Sequence, residues 1–212
     1  MTDAEVRLDR VPAEAVGELL TLRRAAFVSE AQISGNPNIP PLTQTLAELR
    51  EDMAREDVIT IGAWIGPRLV GSIRVGIEDD KATLGRLAVA PDIQGQGIGT
   101  QLLFKVLQYL PENTREVWVF TGQDSKQNIS LYAKHGFEHQ YDKTAGDLTY
   151  AYLRRILGAG EIVDDGAEGA DGAEGDDAPD DTPDEAPGDA PGDAPGDAPG
   201  DAPDNAADDD AN

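Results

Sequence analysis

Three glycines, Gly95, Gly97 and Gly99, alternate with Gln94, Gln96, Ile98 and Thr100. They lie between a strand-like run, Leu84-Gly85-Arg86-Leu87-Ala88-Val89-Ala90-Pro91, and a segment with apolar residues at helical spacing (Ile98, Leu102, Leu103, Val106, Leu107, Leu110). Glycine adopts backbone conformations that a Cβ opposes and lets a ligand approach the main chain closely. In a strand–turn–helix, the free N–H groups of the turn and the positive end of the helix dipole make an anion site, best suited to a phosphate or pyrophosphate. A P-loop would require Gly-Lys followed by Ser or Thr, and no such pair is present. A dinucleotide fingerprint would require a glycine where Thr100 stands and an acid about 20 residues further on, where Phe120 and Thr121 lie. The pattern that fits is Gln-x-x-Gly-x-Gly, from Gln94 to Gly99.

A second cluster lies about 30 residues further on: Asn128, Tyr132 four residues later, then Gly136-Phe137. Together with Leu87-Ala88-Val89-Ala90-Pro91 and the glycine loop, it resembles the two motif blocks of the GNAT superfamily of acetyl-CoA-dependent N-acetyltransferases. The resemblance covers roughly residues 4–155, and its specific motifs cover 84–100 and 128–137. It implies a cleft between the strand before the loop and the strand after the helix, with acetyl-CoA as co-substrate. Backbone groups of Leu87, Ala88 and Val89 would hold the pantetheine arm. Amides of Gln94, Gly95, Gln96, Gly97, Ile98, Gly99 and Thr100 would hold the pyrophosphate. Asn128 would contact the pantetheine region, and Tyr132 would be the general acid. Many members carry Arg or Lys inside the loop. Here Gln94 and Gln96 stand instead, so phosphate recognition falls to main-chain amides and the helix dipole, with Lys105, Lys126 or Lys134 as candidate bases for the outer phosphate.

The implied reaction is direct transfer of an acetyl group to a primary amine, a small molecule or a protein amine. A lysine-like amine has a pKa near 10.4 and must lose a proton to attack, so a base or a desolvating site is required. Residues 82–89 contain no Asp or Glu, which leaves a water relayed to Glu30, Asp124 or another acid of the cleft. Other readings stay open. Tyr132 is equally a packing residue by type. A non-catalytic acyl-CoA-binding regulatory module would keep the loop without turnover. His135 and His139 have no partners at metal-ligand spacing, so no metal is expected, and Trp64 and Trp118 read as core or strand residues.

The positioning elements follow from periodicity. Val6 to Arg10 reads as a strand. Apolar residues at Val16, Leu19, Leu20, Ala26 and Phe27 predict a helix, stopped by the Asn- and Pro-rich 35–41 segment. Thr43 is a plausible N-cap of a second helix bearing Leu46, Leu49 and Met53. Strands are expected over 58–65, 69–77, 82–89, 116–121, 137–141 and 148–153, with helices over 97–110 and 128–135. The predicted fold is α/β with a mixed sheet, in the order β-α-α-β-β-β-α-β-α-β-β. The unit 82–121 is a βαβ crossover whose two strands run parallel if adjacent.

The 212 residues carry 41 acids and 17 bases, a net charge of −24. The last base is Arg155, and residues 161–212 hold 20 of the acids, with Ala-Pro-Gly-Asp repeated four times from Ala186 to Asp201. We therefore expect an acetyltransferase domain over 1–158 and a disordered acidic tail over 159–212, a segment with too little apolar surface to offset its ordering entropy. Such an arm could attract basic partners, and an acidic-tail interaction protein is the third reading. The mildly acidic remainder argues against nucleic-acid binding. The lack of cysteine, of a signal-like start and of a 20-residue apolar run is read as a cytoplasmic protein with no membrane association.

Overall fold

The computed structural model describes residues 5–146 and 148–158; the expected tail over 159–212 lies outside the described residues. Seven strands form one sheet in the order β1-β2-β3-β4-β5-β7-β6. They are β1 Val6–Arg10, β2 Val58–Ile65, β3 Arg68–Glu78, β4 Lys81–Val89, β5 Glu116–Gly122, β6 Glu138–Ala145 and β7 Leu148–Ile156. β4 and β5 are parallel, as the crossover between them requires, and every other neighbouring pair is antiparallel. The expected mixed sheet is present, and each of the seven expected strands forms.

The helices are α1 Val16–Ala26, α2 Val28–Ser34, α3 Pro40–Thr43, α4 Leu46–Ala54, α5 Ile98–Leu107 and α6 Lys126–Lys134. Where two helices are expected before β2, the chain forms four. Phe27, with φ −88° and ψ 1°, separates α1 from α2, and Gly35 ends α2 in the left-handed region. The N-cap of α4 is Thr45, not Thr43. Thr45 Oγ1 accepts from the Glu48 N–H at 3.2 Å, and Glu48 Oε2 accepts from the Thr45 N–H at 2.6 Å. Only Thr45 has a Glu at the third following position, so only it closes this reciprocal box.

Two apolar cores lie on the two sides of the sheet. α5 and α6 pack Ile98, Leu102, Leu103, Val106 and Tyr132 onto Ile61, Ile73, Leu84, Val117 and Val119. α1 and α4 pack Leu19, Leu20, Leu22 and Leu49 with Trp64, Leu69 and Ala88. Gly71 allows the first approach. A Cβ there would lie 2.9 Å from Leu102 Cδ1 and 3.0 Å from Ile98 Cγ2, so a side chain at this position would push these α5 side chains aside. On the other side Arg74 of β3 donates from Nε and Nη2 to both carboxylate oxygens of Asp52 on α4, at 2.8 and 2.7 Å, with both side chains largely buried.

Candidate active site

The site begins with an irregularity in β4. Ser72 pairs with Ala88 and Arg74 with Gly85, so β4 uses one more residue than β3 over the same span. That is a bulge, and Arg86 within it has φ 54°. A bulge bends its strand and increases the local twist. The effect is visible on the other edge. β4 and β5 pair only from Lys81–Glu116 to Leu84–Val119, although β5 continues to Gly122 against β7. Beyond Leu84 the parallel ladder stops. Ala88 and Val89 remain paired to β3 alone, and Leu87 lies beside them in the bulge, which leaves the β5 edge of these three residues open to a ligand backbone.

The glycine loop closes one end of this opening. A short turn over Pro91–Ile93 leads into it, and Gly95 and Gly97 have φ 78° and 79°. Gly97 is the N-cap of α5, and the first intrahelical bond runs from the Gln101 N–H to the Gly97 carbonyl. The N–H groups of Ile98, Gly99 and Thr100 thus precede the helical ladder. Gly99 differs from the sequence expectation. Its φ is not positive, and a Cβ there would lie 3.9 Å from Leu87, Val89 and Leu131, an ordinary contact. Gly99 marks where β4, α5 and α6 meet. Gln94 Nε2 donates to the Val89 carbonyl at 3.1 Å, so this side chain ties the loop back to β4. Arg68 grips Asp92 with two 2.7 Å bonds at the loop's start. Lys105 bonds to Gln108 Oε1 at 3.0 Å, two turns along α5 from the loop.

α6 supplies the other wall. Asn128 Nδ2 reaches Thr121 Oγ1 of β5 at 3.3 Å, joining the helix to the end of the strand. Tyr132 is the one buried residue of α6, 4 % exposed, and packs edge-on to Phe137 at 5.8 Å between centroids. Burial, with Glu30 nearby, pushes its hydroxyl well above the usual tyrosine range. It therefore holds its proton throughout the neutral range.

Glu30, of α2, also reaches the end of β5. Its Oε1 lies 2.7 Å from where a Cβ on Gly122 would be, so any side chain there would displace this carboxylate. Burial raises its carboxyl above the usual carboxylate range, against the hydrogen bonds it accepts from the Ser125 side chain and the Gly122 N–H. The fold thus brings Glu30 within electrostatic reach of Tyr132. Asp124, the other acid considered from sequence, is exposed. Tyr150 of β7 lies within reach of both Arg86 and Glu30, its own hydroxyl pushed up by burial. Gly122, Ser125, Tyr150 and the bulged Arg86 were not singled out from sequence, because each matters through a neighbour remote in the chain. Among the described residues no group of three or more His, Asp or Glu could hold a metal, and no helix is long and apolar enough to cross a membrane.

A model of the acetyltransferase (GNAT) family matches residues 24–137. "UPF0157 protein YqkA" of Bacillus subtilis is 28% identical over 121 residues, 57% of this chain and 34% of that protein. "Uncharacterized N-acetyltransferase MJ1207" of Methanocaldococcus jannaschii is 37% identical over 62 residues, 28% of this chain and 26% of that protein. The aligned parts are thus about a third and a quarter of those curated relatives. Among solved structures, a PaiA N-acetyltransferase from Thermoplasma acidophilum, in complex with coenzyme A, superimposes with a TM-score of 0.63 at 19% identity, covering 72% of this chain and 99% of that one.

Proposed function

Because the chain belongs to the acetyltransferase (GNAT) family, we propose that it is an N-acetyltransferase that moves an acetyl group from acetyl-CoA directly to a primary amine. The observation that carries this reading is the interrupted β4–β5 ladder, with a left-handed glycine turn at one end and Tyr132 and Glu30 flanking it. The residues fit the coenzyme. Leu87 to Val89 offer an unpaired strand edge to the amides of a pantetheine arm. The loop from Gln94 to Thr100 presents main-chain N–H groups at a helix N-terminus, matched to a pyrophosphate. Asn128 stands where the two walls join.

Acetyl-CoA, when bound, supplies the thioester whose carbonyl carbon the amine attacks; the C–N bond forms as the C–S bond breaks. Glu30 receives the amine's proton, directly or through a water. A carboxyl raised above its usual range is a better matched base than a solvated one. Tyr132 donates a hydrogen bond to the sulfur as it gains charge. Its raised pKa exceeds the reference thiol value near 8.5, so its contribution is stabilisation of the developing thiolate more than early proton release. Holding both reactants in one cleft makes the attack effectively unimolecular. The test is an acceptor screen with acetyl-CoA that follows free thiol. The reading expects amine-dependent thiol release with matching N-acetyl product. Tight coenzyme binding with no transfer across amino acids, polyamines, peptides and protein lysines would point instead to a binding module.

A further inference from the structure

Aromatic side chains gather on one face of β5, β7 and β6. Val117, Val119, Ala151 and Leu153 belong to the core under α5 and α6. Strand alternation therefore turns Trp118 and Phe120 of β5, and Tyr150 and Tyr152 of β7, to the other face. Tyr141 of β6 joins them, since it pairs with Tyr152. Phe120 stacks on Tyr152 at 5.5 Å between centroids, and Tyr152 on Tyr141 at 4.8 Å. Trp118 approaches Tyr141 at 6.1 Å, and Tyr150 stands edge-on to Phe120 at 5.8 Å. None of these rings belongs to either apolar core of the described residues. Only Tyr152 is buried; Tyr141 is 40 % exposed, and Trp118, Phe120 and Tyr150 are half-buried. A contiguous apolar patch left at the surface marks a place where something binds.

The row ends at the opening between β4 and β5. Their ladder stops at Leu84–Val119, one residue before Phe120. The stack from Phe120 to Tyr141 runs across β5, β7 and β6, so the second face of Phe120 is turned toward β4, over the opening. Gly122 is two residues further along the same strand face and pairs with Tyr150. The Glu30 carboxylate fills the place that a side chain on Gly122 would take. The acid thus stands in line with the rings, beside Tyr150 and about 7 Å beyond Phe120 by the rise of two strand residues. The other acids of this face, Glu116 and Glu138, lie at the far end next to Arg154. Glu116 also accepts from Trp118 Nε1 at 2.8 Å. Arg154 lies 5.5 Å over the Trp118 ring, and Lys143 pairs with Tyr150 in the β6 register. A ligand on this row therefore meets one carboxylate at the opening, then ring surface bordered by cations that repel a second ammonium. We propose that Phe120 and Tyr150 receive an aromatic ring of the acceptor, so that the amine acetylated here is a monoamine joined to a ring by a short chain, an arylalkylamine. The ring lies against the free face of Phe120, and its ammonium falls toward Glu30. A link of about two carbons spans that interval. This rests on the transferase reading for the fate of the amine, while the ring subsite itself does not.

The full chain is assayed with acetyl-CoA and phenethylamine, butylamine or spermidine. The wild-type chain is expected to favour phenethylamine over either of the others by at least about tenfold in kcat/KM. In Phe120→Leu, which keeps an apolar side chain and removes the ring, that preference is expected to fall to about threefold or less. Tyr150→Leu should lower it too, while Tyr150→Phe, which keeps the ring, should retain it. In parallel, binding of each amine is read by saturation-transfer NMR in the presence of coenzyme A, where no acetyl group can move. Saturation of the phenethylamine ring protons, weaker in Phe120→Leu, supports the subsite even if no acetyl transfer is found, in which case only the transferase reading fails. A wild-type preference near one, a preference for spermidine, or no ring saturation in the folded wild-type chain overturns the proposal whether or not the variants fold. So does an unchanged preference in a folded Phe120→Leu.

Discussion

Glu30 and Tyr132 lie within electrostatic reach of each other, and each has its proton affinity raised by burial. Glu30→Gln separates function from stability. A carboxyl whose folded pKa lies above its unfolded value adds stability below the unfolded value and loses it as pH rises through the folded one. At neutral pH the ionised Glu30 is therefore a net cost. The glutamine variant should melt higher than wild type at pH 7, with the gap closing in acid, while kcat falls about a hundredfold. Thermal melts against pH and steady-state rates check both halves; an unchanged rate would remove Glu30 from the proton path. Tyr132→Phe removes only a hydroxyl. It should lower kcat about ten- to a hundredfold, the worth of a hydrogen bond to a developing charge, and leave acetyl-CoA affinity nearly unchanged. Equal single-turnover rates in the two proteins would contradict this.

At the scale of elements, the Arg74–Asp52 pair fixes α4 to β3 and thereby the helical wall on that side of the sheet. Asp52→Ala leaves a buried guanidinium without this partner and should destabilise the fold by about 3 kcal/mol, read from denaturant midpoints. A loss within a few tenths would show that the pair is not anchoring the wall. Much of this layer was legible in the sequence. The near-continuous apolar runs of β2 and β3 and the 3.6-residue stripe of α5 fall within a few residues of their observed bounds, because those elements carry the core. β6 and β7 run longer than expected, since β6 is almost wholly exposed and its extension follows from pairing with β7. The Thr45 cap was readable from Glu48 three residues on, and Thr43 was favoured without that partner. The bulge was not readable. Nothing in Gly85-Arg86-Leu87 signals an extra residue, and only the pairing with β3 reveals it. Glu30 was one of several acids by sequence, and its distinction is the side-chain room beside Gly122.

At the scale of the whole molecule, the described residues already hold two packed cores, the loop and both flanking groups. The acidic segment 161–212, with 20 carboxylates and no base, is proposed to act on the rest only through charge. A chain ending at Gly160 should keep its melting temperature and coenzyme affinity. Its rates with charged acceptors should shift at low salt and converge on those of the full chain as the Debye length falls below about 8 Å. Failure to fold, or identical rates at low salt, would contradict this. The central claim is that the open β4 edge and the glycine turn together bind acetyl-CoA for transfer. It is tested most directly by calorimetric titration of acetyl-CoA into the wild-type chain and Gly97→Val. Gly97 has φ 79° and no atom within 4 Å of a Cβ, so valine there strains the turn without a side-chain clash. The account predicts one bound acetyl-CoA per wild-type chain and binding weakened at least about tenfold in the variant. No binding by the folded wild-type chain, or equal binding by both proteins, would contradict it.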